Sequence, residues 1–123
     1  MKDKAQILIV EDSEITLYKL KAILVRLGYG VIAHDRSESA LDWLAANQTV
    51  PDLIITDVVM PGIDGYSFVK KVRANSKTAK VPVIMLTSQT EIKDKVAGLE
   101  AGADDFLSKT VSPDELELRV KAL

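Results

Sequence analysis

Short apolar runs recur along this chain, and four of them stop at residues able to do chemistry. Ile7-Leu8-Ile9-Val10 ends in Glu11-Asp12, Leu53-Ile54-Ile55-Thr56 in Asp57, Val83-Ile84-Met85-Leu86 in Thr87, and Phe106-Leu107-Ser108 in Lys109. Between them apolar residues recur every three to four positions, so strand-like and helix-like segments alternate. That alternation is expected of βαβ units around a parallel sheet. In such a sheet ligands bind beyond the carboxyl ends of the strands. Three carboxylates, one hydroxyl and one ammonium would therefore converge on one edge.

The order reads as five β/α repeats. A first helix begins after Ser13, with Thr16, Leu20, Ile23, Leu24 and Leu27 on a buried stripe, and Gly28 and Gly30 end it. A second strand, about Val31 to Ala33, leads to a helix N-capped near Ser37, with Ala40, Leu41 and Leu44 inward and Trp43 at its margin. Pro51-Asp52 opens the third strand. The third helix follows Gly65 and carries Phe68, Val69 and Val72 at helical spacing, and Pro82 marks entry to the fourth strand. The fourth helix shows the stripe Ile92, Val96 and Leu99. Ser112-Pro113 starts a last helix, with Pro at the first helical position and Leu116, Val120 and Leu123 inward. Leu118 falls on another side of it, a hint of an interface only if apolar atoms of the fourth helix join it.

At 123 residues and 47% hydrophobic the chain fits one domain, residues 1–123, with one core. The absence of cysteine excludes a disulfide framework, a thiolate metal site and a cysteine nucleophile, and suits a reducing cytoplasm. No apolar run approaches the roughly 18 residues of a membrane span, and the amino terminus lacks a signal-peptide core. A soluble, cytoplasmic protein is expected. A net charge of −2 over mixed signs gives no basic field for a phosphate backbone, so direct nucleic-acid binding is not expected. Because the chain stops within its last helix, a piece cut from a longer multidomain protein is expected.

Glu11, Asp12 and Asp57 brought together would repel one another. A divalent cation resolves the repulsion, and hard oxygen donors without His or Cys suit Mg2+. Asp57 is then either a metal ligand alone or a nucleophile that takes a phosphoryl group. Thr87 and Lys109 would bind the remaining phosphoryl oxygens, since such transfer is catalysed mainly by positioning and charge neutralisation. Each residue also has an ordinary reading: Asp57 as a turn residue, Thr87 as an N-cap beside Ser88 and Thr90, Lys109 as a solvated charge, Glu11-Asp12 as a cap. Together those readings are improbable. His34, the lone histidine, is assigned no chemistry.

These residues resemble the receiver domain of bacterial two-component response regulators, through nearly the whole chain. The acidic pair, the stretch Asp57-Val58-Val59-Met60-Pro61-Gly62-Ile63-Asp64-Gly65, the Thr87-Ser88 pair and the run Gly102-Ala103-Asp104-Asp105-Phe106-Leu107-Ser108-Lys109 fall in family order. The resemblance implies a flavodoxin-like, three-layer (βα)5 fold with a five-stranded parallel sheet in order 2-1-3-4-5. It implies Asp57 as the phosphoryl acceptor, Mg2+ held by Asp12, Asp57 and the Val59 carbonyl, and Glu11 acting mostly through water. Lys109 would pair with the acceptor, Thr87 would move toward the phosphoryl oxygen, and Phe106 would turn inward behind it, as a two-state switch.

The implied partner is a sensor histidine kinase or histidine phosphotransfer protein. The resemblance leaves open a homodimer through the fourth helix, fifth strand and fifth helix, where Asp105 and Arg119 could pair between molecules. No enzymatic output is expected beyond the domain's own phosphorylation and dephosphorylation.

The chain departs from the family at Thr110, which follows Lys109 where a proline with a cis bond is usual. A non-proline cis bond costs about 3 kcal/mol, so a trans bond is expected. Glu11 replaces the commoner aspartate, Phe106 lacks a tyrosine hydroxyl, and Val59 and Gln89 occupy positions that tune water access. The alternative function is a phosphate-independent docking or dimerisation module. A hydrolase is disfavoured because Val59 stands where a second acid would be wanted, and a flavin or nucleotide domain because no Gly-rich loop follows the first strand.

Overall fold

Nearly every residue of the three central strands is apolar and buried, because both faces of the sheet are covered. The computed structural model describes residues 4–88 and 92–123. Their elements are β1 (Gln6–Val10), α1 (Glu14–Arg26), β2 (Gly30–His34), α2 (Ser37–Ala46), β3 (Leu53–Thr56), α3 (Gly65–Ala74), β4 (Val83–Thr87), α4 (Ile92–Ala101), β5 (Asp105–Ser108) and α5 (Pro113–Ala122). All strand pairs are parallel, in the order β2-β1-β3-β4-β5, so the flavodoxin-like fold is borne out.

The period-two alternation of strands divides the core into two layers. Ile7, Ile9, Ile55, Ile84, Leu86 and Leu107 pack under α1 and α5 against Leu20, Leu24, Leu116 and Val120. Leu8, Val10, Ile54, Val83, Met85 and Phe106 face the other way, against Ala40 and Leu44 of α2, Phe68, Val69 and Val72 of α3, and Ala101 of α4. The chain crosses from β1 to its outer neighbour β2 and back past β1 to β3. That reversal opens the crevice between the carboxyl ends of β1 and β3.

Helix starts follow local chemistry. The side chains of Ser13, Asp64 and Ser112 accept hydrogen bonds from the backbone N–H groups of Thr16, Ser67 and Glu115, and Pro113 opens α5. Gly28 ends α1 at φ +97°, a conformation that costs glycine little, whereas Gly30 belongs to β2. At the end of the sheet remote from the crevice, the Arg73 guanidinium donates to the carbonyls of Gly102, Ala79 and Val81 and pairs with Asp104 at 2.9 Å.

Three expectations are corrected. Ser37 does not cap α2: the N-cap position is Arg36, and the Ser37 hydroxyl donates to the Ile63 carbonyl at 3.0 Å. Val96 and Leu99 are 46% and 42% exposed, so the inward side of α4 is built on Gly98 and Ala101. Leu123 is also exposed, one position beyond the end of α5. Gln89, Thr90 and the side chain of Ile92 lie outside the described residues. Among the described residues, no helix is long and apolar enough to cross a membrane.

Candidate functional site

The backbone ladder continues one residue past each central strand and delivers the carboxylates. The N–H of Glu11 donates to the His34 carbonyl at 3.0 Å, and that of Asp57 to the Val10 carbonyl at 2.9 Å. Both acids thus leave the sheet at the crevice between β1 and β3. Glu11, Asp12 and Asp57 each offer an oxygen within 4.8 Å of the others. Glu11 and Asp57 are buried, and Asp12 is exposed.

Lys109 reaches this cluster from the far side of β4. Its Nζ is 3.0 Å from Asp57 Oδ2 and lies 3.0 and 3.1 Å from the two oxygens of Glu11. Its backbone N–H donates to the Thr87 carbonyl at 2.8 Å, which fixes the start of its side chain. The next bonds come from the chain's own substitutes for proline. The Ser108 hydroxyl accepts from the Thr110 N–H at 3.1 Å and shares a 2.7 Å hydrogen bond with the Thr110 hydroxyl. No peptide bond is cis among the described residues, as expected at Thr110.

One cation does not neutralise three acids. Burial raises the Glu11 pKa to about 7, while hydrogen bonds from the Ser13 N–H and Lys109 pull it down and the Asp57 charge pushes it up. For Lys109, burial works against the charged form, yet its bonds to Asp57 and Glu11 prevail and raise its pKa. The remaining Asp57 oxygen accepts from the Val58 N–H at 2.7 Å. An unbalanced set of hard oxygen donors fits a small divalent cation. Asp12, Asp57 and Glu11 are the side chains that could hold it.

The other expected residues surround this cluster. Thr87 is buried at the carboxyl end of β4, level with Ser108. Phe106 is inward, 7% exposed, and pairs in register with Met85. The Val59 side chain is exposed, which leaves its carbonyl's role to the resemblance alone. Arg119 pairs with Asp105 at 3.5 Å within the chain and also approaches Glu115. The His34 ring lies tilted toward Trp43, with centroids 6.4 Å apart, and shares a hydrogen bond with Ser39.

Two residues escaped the sequence reading. Gly65 brings the start of α3 down on the acceptor loop: a Cβ there would collide with the carbonyl oxygen of Asp57, and the Gly65 N–H donates to the Val58 carbonyl at 2.7 Å. Its place at the end of the motif that begins with Asp57 was the available signal. Glu38 lays its carboxylate against Gly62 in the same loop, one oxygen buried without a hydrogen-bond partner. No local pattern announces that contact.

Residues 7–121 match the response regulator receiver domain. The chain belongs to this family. A receiver at 39% identity over 96% of this chain lies in the phosphate regulon transcriptional regulatory protein PhoB of Escherichia coli K12, of which the match covers 51%. The chain spans about half the length of the curated relatives it matches. Among solved structures, a protein designated a response regulator from Chloroflexus aurantiacus J-10-fl superposes with a TM-score of 0.92 at 42% identity, covering 98% of this chain and 97% of that one. The receiver domain of sensor histidine kinase PA1611 from Pseudomonas aeruginosa PAO1, with a magnesium ion coordinated in its active-site cleft, matches with a TM-score of 0.88 at 30% identity over 97% and 96% of the two chains.

Proposed function

We propose that this receiver takes a phosphoryl group onto Asp57 from a phosphohistidine on a histidine kinase or phosphotransfer protein, in a Mg2+-dependent reaction, and thereby changes its partner surface. The observation that carries this reading is the shared bond of Lys109 Nζ to Asp57 and Glu11 beside a third acid. An Asp57 carboxylate oxygen attacks phosphorus, the P–O bond forms as the P–N bond breaks, and the electron pair leaves on the imidazole nitrogen. Bound Mg2+ would supply charge neutralisation on the phosphoryl oxygens. Lys109 releases one carboxylate contact and follows the new charge, while the Val58 N–H keeps the acceptor oriented. The buried Thr87 side chain is the hydroxyl assigned to a phosphoryl oxygen.

The donor has a route in. Ile15 and Tyr18 are exposed on α1, and an apolar cavity of about 540 Å³ beside them is bounded by Lys19, Ile23, Lys109, Thr110 and Pro113. A kinase or phosphotransfer partner laid on this face would bring its phosphohistidine to the crevice.

Incubation with Mg2+ and a small-molecule phosphodonor, followed by intact mass, tests the reading. Wild type is expected to gain one phosphoryl group and Asp57→Asn none. No gain in either, with Mg2+ binding confirmed, would leave the phosphate-independent docking module as the function.

A further inference from the structure

Residues 59–63 carry the acceptor loop from Val58 to the start of α3, and the loop is held at both ends. The Val58 N–H donates to Asp57 Oδ1 and the Val58 carbonyl accepts from the Gly65 N–H, each at 2.7 Å. Asp64 caps α3 through the Ser67 N–H at 2.8 Å. Between those ends Met60 is buried, Val59, Pro61 and Gly62 are exposed, and Gly62 has a φ of +78°. Among the described residues one hydrogen bond reaches this stretch from another element: the Ser37 hydroxyl, at the first position of α2, donates to the Ile63 carbonyl at 3.0 Å.

Two features at the start of α2 are unfavourable in themselves, and both face this loop. Serine is a good capping residue, yet α2 has no side-chain cap, and the fully buried Ser37 directs its hydroxyl to the loop instead. The next residue, Glu38, lays its carboxylate in the space a Cβ on Gly62 would take, with Oε1 buried and without a hydrogen-bond partner. A buried acceptor left unpaired opposes folding. Departures of this kind from local preference concentrate where a chain serves function.

We propose that Ser37 is a positioning residue for phosphoryl transfer: through the Ile63 carbonyl its hydroxyl holds residues 59–63, and with them the Val59 backbone, in a fixed course beside the acids of the crevice. This inference rests on the receiver reading above, which gives the Val59 carbonyl to Mg2+. A ligand on a turn that is free to move must be ordered when the ion binds, and a bond that orders the turn beforehand lowers that cost. Ser37 bonds neither the acids nor Lys109, so it acts through the loop backbone alone.

The test compares Ser37→Ala with Thr78→Val. Thr78 is likewise buried, and its hydroxyl donates to the Val72 carbonyl at 2.6 Å at the end of α3 remote from the crevice. Thr78→Val therefore removes the same kind of bond without touching the acceptor loop. Mg2+ binding by titration calorimetry and 15N order parameters of Val59, Gly62 and Ile63 in the metal-free protein are read on wild type and both variants. Ser37→Ala is expected to weaken Mg2+ binding about tenfold, the scale of losing a group that orients a metal ligand, and to lower the order parameters at those three residues. Thr78→Val is expected to lower the urea midpoint and leave both readouts as in wild type. Unchanged Mg2+ affinity or unchanged loop order in Ser37→Ala, or equal changes in Thr78→Val, would overturn the proposal. So would failure of Ser37→Ala to fold, because the hydroxyl would then serve the fold rather than the loop. Absence of Mg2+ binding by wild type, or of phosphoryl gain by intact mass, is failure of the receiver reading, and the metal-free order parameters decide separately whether Ser37 holds the loop.

Discussion

Lys109 Nζ stands 3.0 Å from Asp57 Oδ2 and equally close to Glu11, residues 52 and 98 positions away in the chain. It is the single side-chain cation in contact with two buried acids among the described residues. Removing one partner from such a set leaves the others buried and uncompensated. Lys109→Ala should therefore destabilise the metal-free domain by about 2 kcal/mol, a figure reduced from the fully buried case because Lys109 is partly exposed. Urea unfolding at neutral pH measures it. Phosphoryl uptake followed by intact mass should fall by roughly a hundredfold or more, the scale of a lost charge-stabilising group.

Glu11 gives the site a pH signature. Its folded pKa of about 7 lies above the ordinary 4.5, so the folded state holds a proton that the unfolded state has lost. Its contribution is fully present below about 4.5 and fades as pH rises through about 7. Over that window the metal-free domain should lose on the order of 3 kcal/mol from this group. The Lys109 shift is also upward, so it acts only at pH above the ordinary lysine value of 10.5 and does not mask the effect. Glu11→Gln should flatten the curve between pH 5 and 7 in a urea titration; an unchanged slope would locate the proton elsewhere.

Mg2+ should stabilise the fold by mass action, about 2.7 kcal/mol at a hundredfold excess over its dissociation constant. Asp12 is exposed and fixes no other side chain in the described structure. Asp12→Asn should leave the metal-free melting temperature nearly unchanged and abolish most of the Mg2+-dependent rise. Thermal melts with and without Mg2+ would show this, and a retained rise would exclude Asp12 as a ligand.

Gly65 is constrained by the carbonyl oxygen of Asp57, a backbone atom that has no rotamer with which to escape. Gly65→Ala should cost about 3 kcal/mol, at the upper end of overpacking effects, despite the gain in helix propensity. The urea midpoint reports the loss. Because the displaced atom belongs to the acceptor itself, phosphoryl uptake at saturating Mg2+ should fall too.

Ser108 holds the turn after Lys109 through the Thr110 N–H and hydroxyl. Ser108→Ala should cost about 1 kcal/mol of stability and slow phosphoryl uptake several-fold, while Ser108→Thr keeps the hydroxyl and should restore the rate. Equal slowing in both variants would show that bulk at position 108, rather than its hydroxyl, sets the position of Lys109.

The acidic edge could be read in the sequence because a parallel sheet ends all its strands on one side, so the residues after Val10, Thr56, Leu86 and Ser108 had to be neighbours. What resisted reading was decided by contacts distant in sequence. The Ser37 hydroxyl bonds Ile63, 26 residues away, and so forgoes the cap that its position suggested. Val96 and Leu99 have helical spacing, yet the side of α4 that faces β5 is the one with the smallest residues, because a large ring from β5 occupies the space. Periodicity finds a stripe but cannot say whether it faces the sheet or the water. Glu38 lies over Gly62 for reasons of packing between α2 and the acceptor loop, which leave no trace in local sequence.

Arg73 has a bearing on how this domain can move. It clasps Gly102, Val81 and Asp104 at the end of the sheet opposite the acids, and so pins the tail of α4 to α3 and to the entry of β4. With that end fastened, displacement of α4 becomes a swing about a fixed fulcrum, and its amplitude grows along the roughly 15 Å of the helix toward the end that follows β4. Under the proposed phosphorylation switch, any displacement of α4 would be largest at the end beside the site and smallest at the end that Arg73 holds.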